Sequence, residues 1–257
     1  MKVSLPVMRG NMGGRQYYSL LISLSEIPRL FKFDDWEECT PELRAQRVLN
    51  KARVADIAHK PAGVDHVHAA ATPISALTVW QGLVERAGLA AGQRVLIHGA
   101  AGGVGTLAVQ LARWRGARVT GTASAANLDF VRSLGADEVI DYRAERFEDV
   151  VRDVDVVFDT VGGETLERSW GVLKPGGRLV TVAASGEQTT DERIRAAYFI
   201  VEPSRTQLAE IARLVDGSTL RPIVGAVFPL AEARQAYQHK PVRGKVVLRV
   251  VDRGGAT

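Results

Sequence analysis

From about residue 94 the apolar positions fall into short blocks that alternate with segments of helical spacing. "RVLIHG" reads as a buried strand, and "VGTLAVQLARWRG" places Val104, Leu107, Ala108 and Leu111 on one helical face. The alternation continues. "ARVTGTA" is a strand and "NLDFVRSLGA" a helix closed by Gly135; "DEVIDY" and "VDVVFDTVG" are strands, and "ETLERSWGVL" is a helix. "KPGGRLVTVA" is a turn and a strand, and "PSRTQLAEIARLVDG" is a helix begun by Pro203 and Ser204. Such blocks predict an α/β fold, a doubly wound parallel sheet covered by helices on both faces. "RPIVGAVFPLAEARQAYQHKPVRGKVVLRV" then reads strand, helix, strand.

The first 62 residues do not join this alternation and predict a small, atypical α+β segment. "VSLPVMRGNMGGRQYYSLLISL" reads as a hairpin around Asn11 and Gly13-Gly14, and "SEIPRLF" and "PELRAQRVLNKARVADIAHK" as helices. Pro61-Ala62-Gly63 is the strongest punctuation. The predicted division is therefore 1–62 and 63–257.

Charge changes this picture little. Lys and Arg number 33 against 29 Asp and Glu, and no basic run is present, which argues against nucleic acid as a partner. The one cysteine, Cys39, cannot form a disulfide within the chain or supply a multi-cysteine zinc site. No apolar run is long enough for a membrane span, and "MKVSLPVMRGNMGG" lacks a signal-peptide core. A cytoplasmic location, with no membrane partner, is the expectation.

The segment "VLIHGAAGGVG" carries the chemistry. A strand that ends in glycines and leads into a helix gathers free N–H groups at the positive end of the helix dipole, where an anion is stabilised. Ala100-x-Gly102-x-x-Gly105 is a dinucleotide fingerprint with alanine in first place. Gly102 lets a pyrophosphate approach, and Gly105 lets the helix pack on the strand. The alternative is a tight turn without a ligand. At the end of the next strand, "GTAS" holds no acid before Asp129. A carboxylate there would repel a 2′-phosphate, so its absence, with Ser124 as a donor, favours NADP over NAD. Ser124 can also cap the following helix.

"AAATPISALTVWQGL", "GQRVLIHGAAGGVGTLAVQLAR", "GTAS", "LGADEVIDYR", "VDVVFDTVGG", "LKPGGRLVTVA" and "GKVVLRV" stand in the order and spacing of a known family. Residues 63–250 resemble the zinc-independent, quinone oxidoreductase-like branch of the medium-chain dehydrogenase/reductases. The resemblance implies a Rossmann domain, NADPH, and hydride transfer to a small-molecule quinone or α,β-unsaturated carbonyl. It also implies a homodimer through the edge of the Rossmann sheet. It places Ala101, Gly102, Gly103 and Val104 at the pyrophosphate, and Ser124 and Tyr142 near the 2′-phosphate and adenine. Val161 and Gly162 would line a ribose, Ala183 and Ala184 would flank the nicotinamide, and Thr78 would lie near the nicotinamide end. Ala126 stands where many relatives have Arg, so a cation for the 2′-phosphate is missing from the local motif.

The family's GroES-like barrel, which supplies the substrate cleft, is absent from the 62 residues upstream. Loss of that barrel predicts exposed apolar area on "AAATPISALTVWQGLV" and on the closing strand. Residues 7–58 instead resemble the opening of DGQHR-domain proteins, which are tied to DNA modification, although the Asp-Gly-Gln-His-Arg motif is nowhere in the chain. Three readings stay open: an NADPH-dependent reductase impaired by the missing barrel, an NADP-binding protein without turnover, and a DNA-modification-linked regulatory protein.

Other polar residues have plainer readings. His59, His66 and His68 lack a metal-ligand pattern and read as solvated linker histidines. His98 reads as a strand residue facing a helix, and Asp159 as a hydrogen-bonding group at a strand end. Tyr17 or Tyr18 could give a proton to an enolate, though core packing is the simpler role. Lys245 could approach a phosphate; otherwise it is an exposed strand lysine. No catalytic residue is assigned.

Overall fold

The computed structural model describes the backbone of residues 7–12 and 15–20, and residues 58–183 and 189–249 with their side chains. The helices predicted within 21–57 lie outside the described residues.

Strands β1 (Val7–Met12) and β2 (Arg15–Leu20) form the expected antiparallel hairpin, with Met12 opposite Arg15. Five further strands build a parallel sheet: β3 (Arg94–Ile97), β4 (Arg118–Ala123), β5 (Glu138–Asp141), β6 (Val154–Asp159) and β7 (Leu173–Thr181). Their order is β5-β4-β3-β6-β7, the Rossmann arrangement in which the sequence turns back at β3. The central strands are sealed on both faces: Val95, Leu96, Ile97, Val156, Val157 and Phe158 are all buried. Their apolar runs are continuous for that reason.

Helices α1 (His66–Ala70) and α2 (Pro73–Val79) precede the sheet, and α2 continues into π-helical turns over Trp80–Arg86. Gly82 lets these turns press on β6, since a Cβ there would stand 2.4 Å from the Phe158 ring. Helix α3 (Gly105–Trp114) buries Leu107, Ala108, Val109, Leu111 and Ala112 against β3 and β4. Next come α4 (Leu128–Ser133), α5 (Phe147–Val150), α6 (Gly163–Ser169), α7 (Glu192–Ala197) and α8 (Arg205–Asp216). Ser204 caps α8 by accepting from the Gln207 amide.

The chain then leaves the parallel sheet. Strand β8 (Val224–Pro229), α9 (Ala233–Gln238) and β9 (Lys245–Arg249) follow. β9 lies parallel to β8 and antiparallel to β1, giving a second sheet in the order β2-β1-β9-β8. Ala70 at the end of α1 and Ala71 just after it pack on Val247 of β9. The closing strand, expected to lose its partner with the barrel, thus pairs with the N-terminal hairpin. Val227, Leu230, Tyr237 and Val242 of this unit remain exposed. Among the described residues no helix is long and apolar enough to cross a membrane.

Candidate functional site

The site lies where the strand order reverses. The His98 amide donates to Phe158 of β6, whereas the Ala100 amide donates to Thr122 of β4. The chain parts from one neighbour and joins the other within two peptide units, and Gly99 makes that turn at φ +70°. A Cβ at Gly99 would stand 2.5 Å from Thr160 Oγ1, so only glycine fits without displacement. A crevice of this kind, beyond the carboxyl ends of the strands, is where open α/β sheets bind ligands.

Beyond Gly99 the loop turns into α3. The Gly102 amide donates to Gly99 O at 2.9 Å. The amides of Gly103, Val104 and Gly105 find no acceptor among the described residues. They stand at the positive end of the α3 dipole, so an anion is their natural partner. Gly105 holds the helix start close to the turn, because its Cβ would fall 2.1 Å from Gly99 O. Ala101 is buried, Gly102 is exposed, and Gly103 and Val104 are half-buried.

The segment ahead of β9 closes over this loop. Gly244 donates its N–H to Ala101 O at 3.0 Å and pairs with Gly102 as an isolated bridge. Lys245 lays its methylenes over Gly103, where an added Cβ would meet Cδ at 2.5 Å. Burial pushes its ammonium pKa down to about 8. On the other side of Gly244, Arg243 donates through Nε to Asn127 Oδ1 at 2.7 Å and through Nη2 to Ala126 O at 2.9 Å. Asn127 in turn donates to Ser124 Oγ at 3.1 Å and to Val242 O at 3.3 Å. Ser124 makes no side-chain cap. Its hydroxyl hydrogen remains available to a ligand.

Tyr142 follows β5 beside this corner; its amide donates to Ala123 O and its ring is largely exposed. A cavity of about 450 Å³ opens between Tyr142, Thr122, Gly99, Val161 and Thr165, with Arg143 and Arg168 at its wall. At the carboxyl ends of β6 and β7, a Cβ added to Gly162 (φ +78°) would stand 3.2 Å from Ala183 Cβ, and Val161 is exposed. Asp159 is buried and fully engaged: it accepts from the amides of Val161 and Gly162 and from the Thr181 hydroxyl. It shapes the 160–162 turn. His98 is also buried, between Thr122 Oγ1 at 3.2 Å and Ser169 Oγ at 3.0 Å, and burial lowers its pKa to about 4.

Two of the predicted positions stand apart. Thr78 is wholly buried and donates its hydroxyl to Ile74 O within α2, so it presents no surface to a ligand. Periodicity gives a helix but not which way one hydroxyl turns. Ala184 lies outside the described residues, and so do the side chains of Tyr17 and Tyr18. His68 pairs with Asp65 at 2.8 Å, and among the described residues no three His, Cys, Asp or Glu side chains converge as metal ligands.

The fold is shared with solved oxidoreductase structures. Residues 134–248 match the family described as zinc-binding dehydrogenase, and residues 5–60 match one described as DNA-sulfur modification-associated. A probable zinc-binding oxidoreductase, mitochondrial, of Arthroderma benhamiae is 33% identical over 222 residues, covering 78% of this chain and 67% of that protein. The chain belongs to the medium-chain dehydrogenase/reductase family. A mitochondrial NAD(P)H oxidoreductase of Danio rerio is 33% identical over 77% of this chain, which spans only 60% of that protein. Among solved structures, the quinone oxidoreductase of Coxiella burnetii superposes with a TM-score of 0.68 at 32% identity, covering 75% of this chain and 63% of that one. The CurK enoyl reductase gives 0.66 at 30%, covering 74% and 64%.

In this medium-chain dehydrogenase/reductase, the structure brings the loop, Ser124 and Tyr142 to one corner of the sheet, as their places in the sequence suggest. Sequence reasoning does not place Arg243 and Asn127 beside them. Their contact spans 116 positions, and the one hint is a cationic pair flanking Gly244 before an apolar strand.

Proposed function

We propose that this chain binds NADPH and reduces a quinone or α,β-unsaturated carbonyl. The reading rests on the amides of Gly103, Val104 and Gly105, unpartnered among the described residues, facing the strand-order crevice, with Lys245 laid over Gly103. In it those amides hold a pyrophosphate, and Lys245 neutralises part of its charge. Ser124 donates to a 2′-phosphate oxygen, Tyr142 borders the adenosine, and Val161, Gly162 and Ala183 wall the path toward the nicotinamide. Asp159 fixes that wall by holding two successive amides. Bound NADPH would supply the hydride, and a proton from solvent would complete the reduction. The names of the relatives, among them a 2-methylene-furan-3-one reductase of Solanum lycopersicum, support this substrate class.

The test has two stages. Titration should enhance NADPH fluorescence with a dissociation constant well below about 1 mM. A panel of quinones and enones should then show oxidation at 340 nm (the absorbance of the reduced nicotinamide). Absence of binding would reject the reading. Binding without oxidation would leave a cofactor-holding protein.

A further inference from the structure

We propose that Arg243 is the residue that selects the 2′-phosphate of NADP, doing from the far end of the chain what the local motif lacks at Ala126. This inference rests on the dinucleotide reading above and adds to it a named determinant of cofactor choice.

Arg243 is held in place before any ligand arrives. Its Nε and Nη2 bond to Asn127 Oδ1 and Ala126 O, and its guanidinium carbon lies 4.4 Å over the Phe130 ring. A planar cation locked in this way loses little freedom when it meets a phosphate. Both of its hydrogen-bond acceptors are neutral, and no carboxylate pairs with it among the described residues. A guanidinium has five N–H donors. Nη1 and one hydrogen of Nη2 are therefore left for an incoming acceptor.

The same place holds a second donor. Ser124 Oγ accepts from Asn127 Nδ2, so its own hydrogen can point outward. Asn127, itself buried, thus bonds Ser124 on one side and Arg243 on the other. Both lie at the carboxyl end of β4, where a Rossmann domain meets the 2′ position of the adenosine ribose. The nearest acid in sequence, Asp129, is exposed and paired with Arg132 at 2.8 Å. A cation with spare donors, an outward hydroxyl and no local carboxylate suit a phosphate dianion better than a ribose hydroxyl.

The two cations flanking Gly244 then have separable duties. Lys245 lies over Gly103 and would touch the pyrophosphate that NADPH and NADH share. Arg243 would touch only the group that differs.

The test compares dissociation constants for NADPH and NADH, read by fluorescence, and for 2′,5′-ADP and 5′-AMP, read by calorimetry. Arg243→Ala should weaken NADPH and 2′,5′-ADP roughly 10- to 100-fold, the range of a charge-assisted hydrogen bond. NADH and 5′-AMP should change less than about twofold. Arg243→Lys should restore part of the preference, which a purely structural role would not require. Arg243→Gln keeps the size of the side chain without the charge, and replaces Arg243→Ala if that variant does not fold. Equal losses for NADPH and NADH, or no loss for either, would overturn the assignment. A wild-type chain that binds NADPH and NADH equally overturns it too, while leaving the dinucleotide reading intact. Failure to bind either nucleotide removes both.

Discussion

The N–H of Gly244 donates to the carbonyl of Ala101 across 3.0 Å, tying the lead-in of β9 to the glycine loop after β3. Gly244 has φ +63°, and a Cβ on it would stand 2.3 Å from Ile223 O. Gly244→Ala should therefore cost about 1–3 kcal/mol in urea denaturation. NADPH affinity should fall with it, because Arg243 and Lys245 are carried by the same backbone. Unchanged affinity in a destabilised protein would separate the strand from the site.

Gly102 makes the opposite prediction. A Cβ there meets only Gly99 O, at 3.2 Å, and the residue is exposed. Gly102→Val should keep its melting temperature within about 3 °C of wild type, the shift expected of roughly 1 kcal/mol in a chain of this size. It should lose NADPH binding, since the branched side chain fills the approach to the amides. Normal NADPH binding would move the pyrophosphate elsewhere.

Lys245 gives a pH signature. Burial holds its pKa near 8, so the free protein loses this cation as the pH rises through that value. A bound pyrophosphate favours the charged form and raises the pKa, so binding takes up a proton. Affinity for both NADPH and NADH should fall above about pH 8, by at most tenfold per unit. Lys245→Met should bind more weakly at neutral pH and show a flat profile across the same range.

Ser124→Asp would put a carboxylate where the proposed site meets a 2′-phosphate. NADPH should weaken by at least tenfold from like-charge repulsion, about 1.4 kcal/mol, and NADH should hold or gain. An unchanged ratio of the two dissociation constants would show that Ser124 does not face that group.

His98 links acid to stability. Its folded pKa of about 4 lies below the ordinary 6.5, because burial disfavours the imidazolium. The unfolded chain therefore binds this proton more readily. The stability is fully present above pH 6.5 and is lost as the pH falls toward 4, by up to roughly 3 kcal/mol. His98→Gln should flatten that limb of a denaturation series.

The parallel sheet was legible because its strands are sealed on both faces, and continuous apolar runs such as Val95-Leu96-Ile97 follow directly from that burial. The loop was legible because Gly102 and Gly105 sit between such a run and a helix. Short α5 and the π-helical turns at Trp80–Arg86 left no period long enough to read. Thr78 shows a different limit: its spacing gives the helix, but not that its hydroxyl donates to the Ile74 carbonyl. The partner of β9 was out of reach, since pairing with β1 joins distant parts of the sequence. Arg243 shares that difficulty.

That pairing has a consequence for how the protein is made. The ribosome releases the glycine loop long before the tripeptide that covers it, and domains generally fold as they emerge. A nascent chain can lay down its parallel sheet while β9 is still unsynthesised, and closure then waits on a slow, non-local contact. If the loop holds a nucleotide as proposed, that capture would wait until β9 has zipped onto the N-terminal hairpin.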